Sequence, residues 1–224
     1  MPTDKTRERI LAAAGPVFAE NGFRASTVRD ICRAADVNLA SVNYHFRDKQ
    51  GLYLETVRYA RKMRAQEAPL PHWPADAPTA TKLTGFIHTL LTRMVGLEEA
   101  PWPVKLLLRE ILNPTEACKD LVEEYFRPHF ELLLEILGEV LPADTPRHQR
   151  EQIGFSIVGQ CLYYRMAPAI VTMMVGKDAL SEHYSVEQLA GHISRMTLMS
   201  LGLVPAFTVP TEASVLSKEV TQHV

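Results

Sequence analysis

Residues 36–53 read DVNLASVNYHFRDKQGLY. Asn38 is a strong helix N-cap, because its side-chain oxygen can accept a free backbone N–H of the first turn. It predicts a short helix over 38–45. The early positions, Asn38, Ala40, Ser41 and Asn43, are small or polar. The end is Tyr44-His45-Phe46. Val42 and Phe46 lie four apart and form one apolar face, which holds such a helix against its neighbours. Asp48 is a second N-cap. It opens a helix over about 49–66 with Leu52, Tyr53, Val57 and Ala60 as its inner stripe.

Upstream, Thr27-Val28-Arg29-Asp30 has the form of a capping box. The helix it starts runs to about Ala35 and buries Val28, Ile31 and Ala35. Only Asp36-Val37 separates it from the helix at 38. The first helix of the chain is predicted over 3–21, with Ile10, Leu11, Ala14, Val17 and Phe18 on one face and Asn21-Gly22 as its stop. Pro16 should bend it, since proline removes a backbone hydrogen bond. Two short helices joined by a tight turn form a helix-turn-helix, whose second helix fits a DNA groove. The side chains suit that task. Asn43 can donate to and accept from a base edge, and Ser41 can pair with several bases. Tyr44 and His45, at the helix end, reach toward phosphates. Lys49 and Thr27 stand at helix starts, where free N–H groups attract an anion. His45 has no companion His, Cys or carboxylate at ligand spacing, so no metal site is expected there.

The remainder of the chain is punctuated by Gly and Pro and otherwise reads helical, which makes the fold class all-α. EAPLPHWPADAPTAT, residues 67–81, has no periodicity and reads as a linker. Further helices are predicted at about 79–96, 103–113, 115–140, 146–175 and 185–202, with a kink at Pro128. The expected organisation is a DNA-binding module over 1–50, a connecting helix over 51–66, a linker over 67–80, a helical body over 81–203 and a loose tail over 204–224. GFSIVGQCLYYRMAPAIVTMMVG, residues 154–176, approaches the length of a membrane span. Gln160, Arg165 and Pro168 are costly in lipid, so it is read as a helix buried on all sides.

Charge is divided unevenly. Residues 1–66 hold 12 Lys and Arg against 7 Asp and Glu, and residues 67–224 hold 12 against 19. A basic module on an acidic body suits a chain in which only one part meets a polyanion. Cys32, Cys118 and Cys161 are odd in number and far apart, which fits neither a disulfide framework nor zinc and agrees with a reducing cytoplasm. The first residues, MPTDKTRERI, lack an apolar signal core. No Gly-rich phosphate loop, HExxH or GxSxG marks a catalytic site. No cofactor or metal is expected.

FRASTVRDICRAADVNLASVNYHFRDKQGLY, residues 23–53, closely resembles the DNA-binding module of the TetR-type bacterial transcriptional regulators. The Tyr-His-Phe followed by the Asp-Lys-capped helix is the most specific part. KLLLRE, NPTEACKDLV and SIVGQCLYYR downstream look like one subgroup with its own effector domain. The resemblance implies that Asn38, Leu39, Ala40, Ser41 and Asn43 face bases, while Thr27, Tyr44, His45 and Lys49 hold phosphates. Asn43 stands where many relatives carry an aromatic residue, and Leu39 where many carry a polar one. It further implies a homodimer through the last two long helices, whose apolar residues include Ile157, Val158, Cys161, Leu162, Ile193, Met196, Leu198 and Met199. It also implies a small-molecule effector bound in the body. Candidate pocket walls are Phe86, Leu90, Met94, Trp102, Phe126 and Phe130. Candidate polar contacts are Arg109, Gln160, Tyr163 and Tyr164, with a structural ion pair to Glu110 as the other reading of Arg109. The function so implied is a ligand-responsive repressor. The alternatives are a ligand-independent DNA-binding protein and a helical enzyme or carrier.

Overall fold

A computed structural model describes residues 2–95 and 102–205. Among these the chain forms helices and no strand. They are α1 (Pro2–Ala25), α2 (Val28–Ala35), α3 (Leu39–Phe46), α4 (Lys49–Glu67), α5 (Thr79–Met94), α6 (Trp102–Leu112), α7 (Ala117–Leu121), a π-helical turn (Val122–Phe126), α8 (Arg127–Gly138), α9 (Arg147–Met166), α10 (Pro168–Val175), α11 (Lys177–His183) and α12 (Val186–Ser200). The expected tail lies, from 206 on, outside the described residues.

The caps that predict α2, α3 and α4 close them. Thr27 Oγ1 accepts from Asp30 N at 3.2 Å, Asn38 Oδ1 from Ser41 N at 2.9 Å, and Asp48 Oδ1 from Gly51 N at 2.8 Å. Asp36 takes the left-handed conformation between α2 and α3, which a short polar side chain tolerates.

Two prolines act differently from their neighbours' expectations. The backbone stays helical through Pro16, and the break in α1 comes at Gly22, with φ 73° and ψ 175°. That region of backbone space is essentially reserved for glycine. A Cβ there would also lie 2.9 Å from Arg109 Nη1. Gly22→Ala is expected to lower the unfolding free energy by about 1–3 kcal/mol, read from urea titration. The kink expected at Pro128 takes the form of the π turn just before it. Pro128 cannot donate to the carbonyl four residues back, and widening the preceding turn relieves the ring's clash.

Two apolar cores result. The first joins Ile10, Leu11 and Phe18 of α1, Ile31, Val42, Phe46, and Leu52, Tyr53, Val57 and Ala60 of α4. It also takes in Leu106 and Leu107 of α6 and Leu121 of α7. The helix-turn-helix is therefore seated directly on part of the body. The second core joins α5, α8, α9 and α12 through Leu83, Ile87, Leu133, Leu137, Ile157 and Ile193.

The long apolar helix expected over 146–175 is broken. Ala167 leaves the helical region (φ −124°, ψ 42°) because Pro168 follows it, so α9 ends and α10 begins. Nor is residues 154–176 covered on all sides. Phe155, Tyr163, Met166, Ile170, Met173 and Met174 are exposed in the protomer, with Met174 at 76%. Of the apolar residues on the two helices expected to carry the dimer, Ile157, Cys161, Ile193 and Leu198 lie in the protomer's own core. No helix among the described residues is long and apolar enough to cross a membrane.

Candidate nucleic-acid interface and effector cavity

α3 buries Val42 and Phe46 and leaves Asn38, Leu39, Ala40, Asn43 and Tyr44 exposed, with Ser41 and His45 half-buried. These residues form one outward surface on a helix held from behind. Tyr44 is 76% exposed, too much for a core residue, and its ring meets His45 edge-on at 5.1 Å. Asn38 is partly committed. Its oxygen accepts both Ser41 N and Ser41 Oγ, at 2.9 and 3.0 Å, so only its amide NH2 remains for a base. Thr27 donates to Asp30 Oδ2 at 2.6 Å, and a phosphate there must displace that bond.

Lys49 is set from two sides. Its ammonium lies 4.7 Å above the Phe23 ring and donates to the Arg24 carbonyl at 3.3 Å. It sits in the first turn of α4, where the helix dipole favours an anion. Arg47 connects α3 to α4 with φ 68°, and Asp48 N donates to Phe46 O at 2.8 Å, closing a γ-turn. Gly51 allows this junction to close, since a Cβ there would stand 2.2 Å from Phe46 O. Tyr44, His45 and Lys49 are thus held in fixed relation across one tight turn.

Known proteins agree with this geometry. Residues 10–56 match the family model "Bacterial regulatory proteins, tetR family". Residues 80–201 match "HTH-type transcriptional dual regulator CecR, C-terminal domain". The chain belongs to the TetR family of transcriptional regulators. CecR of Shigella flexneri is 23% identical over 189 residues, covering 80% of this chain and 84% of that protein. The repressor KstR2 of Rhodococcus jostii is 42% identical over 52 residues, 23% of this chain and 26% of that one. Among solved structures, AibR in complex with isovaleryl coenzyme A and operator DNA superposes with a TM-score of 0.64 at 17% identity, over 90% of this chain and all of that one. A transcriptional regulator from Rhodococcus superposes with a TM-score of 0.59 at 18% identity, over 90% of this chain and 99% of that one. At such identities these structures share the fold.

The regulator's body contains a cavity of about 700 Å³ between α5, α6, the π turn, α8 and α9, reached also by Arg64 of α4. That is ample for a small molecule. Phe86, Leu90, Met94, Phe126 and Phe130, five of the candidate walls, line it. Five other candidates are elsewhere. Trp102 covers Gly15 of α1 and stacks on Tyr59. Arg109 donates to the Glu20 carbonyl at 2.8 Å and pairs with no carboxylate of its neighbour Glu110. Gln160 is exposed and donates back to Ser156 O, Tyr163 is exposed, and Tyr164 packs toward Tyr184. A large aromatic or an arginine satisfies core and cap positions as readily as a pocket, and sequence spacing does not separate these uses.

The polar groups that do line the cavity include Arg64, Arg93, Arg165 and His129, none of them among the candidate polar contacts read from the sequence. A signal existed for two. Arg93 follows Phe86 and Leu90 on the same face of α5, and Arg165 is the one charge in the apolar run 154–176. His129 Nδ1 donates to Tyr125 O at 2.5 Å, so its Nε2 accepts from Arg93 Nη1 at 2.7 Å. Burial lowers the His129 pKa and the Arg93 charge adds to this, while the Tyr125 bond opposes. The ring is held neutral.

Proposed function

We propose that the chain is a dimeric, cytoplasmic repressor released from its operator by an effector bound in the cavity. One observation carries the reading: α6 belongs to both sites. Val104, Leu108 and Ile111 face the cavity. On the same helix, Trp102 sits against Gly15 of α1, Arg109 holds the Glu20 carbonyl, and Glu110 accepts the Tyr53 hydroxyl of α4. A molecule that displaces α6 therefore displaces α1 and α4, the supports of the recognition helix. The effector must favour the displaced state, since equal affinity for both would shift nothing. Moving the regulator from nearly all bound to nearly all free needs about 5 kcal/mol of such preference.

Leu39, Ala40, Ser41 and Asn43 read base edges in this proposal, with the Asn38 amide as a donor. Thr27, Tyr44, His45 and Lys49 hold phosphates. The dimer forms through the outer faces of α9 and α12, which sets two recognition helices about 34 Å apart for successive major grooves. The test is binding to DNA flanking the chain's own gene, against scrambled DNA, over a salt series. Selective binding as a dimer supports the reading, and a steep salt slope without sequence preference counts against it. Lys49→Ala is expected to weaken binding equally on all operator variants and to reduce the log–log salt slope by about 1. A variant that changed base preference instead would move Lys49 to the base-reading set.

A further inference from the structure

The charges that line the cavity are unevenly paired. Two of the cations are paired: Arg127 with Glu123 at 2.8 Å, and Arg147 with Glu131 and Glu151 at 2.6 and 2.8 Å. Arg64, Arg93 and Arg165 line the cavity too, Arg64 and Arg93 almost wholly buried, and among the described residues Glu67 is the one carboxylate paired with any of the three, bound to Arg64. Arg93 is 8% exposed. Its Nε donates to Ala68 O at 2.7 Å and its Nη1 to His129, which fixes the guanidinium plane. Arg165 Nε is buried without a partner. Burial first, and then the charge of Arg64, lower the Arg165 pKa.

Taking a guanidinium out of water without an anion is costly, and buried charges are paired. Here two arginines border an empty volume rather than a carboxylate. The walls next to them, Phe86, Leu90, Val158 and Leu162, are apolar. We infer that the effector is an amphipathic oxyanion, with a carboxylate or phosphoryl head on Arg93 and Arg165 and an apolar body along α5 and α9. Neutral His129 serves as a positioning residue by holding Arg93. This inference rests on the cavity being the effector site. It supplies the charge and polarity of the ligand, which that reading leaves open. It also gives the ligand a reason to act: an oxyanion joins α5 to α9 in a cavity that Arg64 of α4 also lines.

Two fluorescent probes of nearly the same apolar body separate the claims: 1-anilinonaphthalene-8-sulfonate and its uncharged counterpart N-phenyl-1-naphthylamine. The full-length protein is titrated with each. The sulfonate is expected to bind at least about tenfold more tightly, the scale of one charge-assisted contact. Arg93→Met with Arg165→Met should remove that advantage and leave the uncharged probe's affinity unchanged. Displacement of the sulfonate by dodecanoate or by dodecyl phosphate then distinguishes the two head groups. Val158→Trp, which puts an indole into the apolar wall of the cavity, should weaken both probes. Arg165→Met should not lower the melting temperature of the unliganded protein, because it removes a charge that lacks a partner. Equal affinity for the two probes, or a lowered melting temperature in Arg165→Met, overturns the oxyanion inference and leaves the cavity reading standing. Binding of both probes that is undiminished by Val158→Trp, or no binding of either probe, overturns both.

Discussion

Glu110→Ala is expected to lower the unfolding free energy by about 3 kcal/mol or more, the sum of a charged acceptor's lost bonds and the donors left unpaired. For a chain of this size that is a fall in melting temperature of roughly 6–12 °C. Glu110 is fully buried in α6. One of its oxygens accepts the Tyr53 hydroxyl from α4, and the other accepts Thr115 N and Oγ1 at 3.1 and 2.9 Å. Burial raises the Tyr53 pKa far above the ordinary phenol range, and the Glu110 bond and charge raise it further. The phenol therefore remains a donor at every working pH, and the bond is one-directional. Alanine would leave that hydroxyl unpaired inside the first core and the half-buried Thr115 amide without its acceptor. Tyr53→Phe removes one donor and leaves one carboxylate oxygen unpaired while Thr115 still bonds the other, so its cost should be smaller, about 1–2 kcal/mol. Because the substitutions share one network, the double variant should cost less than the two single costs added together. A Glu110→Ala protein within 0.5 kcal/mol of the parent would show that α4 and α6 are not joined here. The same pair tests signal transfer: Tyr53→Phe should keep its operator affinity and respond less to effector, since α6 then moves without pulling α4.

How far the sequence discloses this molecule depends on the range of the interaction. Caps act within one turn, so Thr27, Asn38 and Asp48 mark α2, α3 and α4 almost to the residue. The apolar stripes of α1 and α4 are equally local, and Ile10, Leu11, Ala14, Phe18, Leu52, Tyr53, Val57 and Ala60 are all buried. Glu110 is the opposite case. Beside Arg109 it looks like a surface ion pair, yet its partner Tyr53 stands 57 residues away. Trp102 and Arg109 have the composition of pocket residues, but Gly15 and the end of α1 claim them. Arg93 and Arg165 line one cavity only because α5 and α9 pack side by side. Proline is a mixed signal: Pro168 stops a helix, Pro128 distorts the turn before it, and Pro16 leaves its helix intact.

Gly159→Glu carries the second large effect, a change of oligomeric state. The outward face of α9 runs through Ser156, Gly159, Gln160 and Tyr163, and that of α12 through Gly191, His192 and Met196, all exposed in the protomer. A Cβ at Gly159 or at Gly191 would meet nothing within 4 Å. Glutamate at 159 should therefore do no harm to the protomer, and replacing a helical glycine should help it by several tenths of a kcal/mol. In a two-fold dimer built on this face, each copy would meet its mate's glutamate across the axis, adding bulk and like charge where close approach is needed. The expected result is a monomer by light scattering with an undiminished helical signal. Operator affinity should then fall at least about 100-fold, the advantage lost when two linked half-site contacts become independent. Glutamate at the open end of α11, as in Ser181→Glu, should change neither property. If Gly159→Glu remained dimeric and bound its operator fully, the pairing surface would have to be sought on α10. There Ile170, Met173 and Met174 present the other exposed apolar face of this segment, and Met173→Glu would be the variant that dissociates the pair.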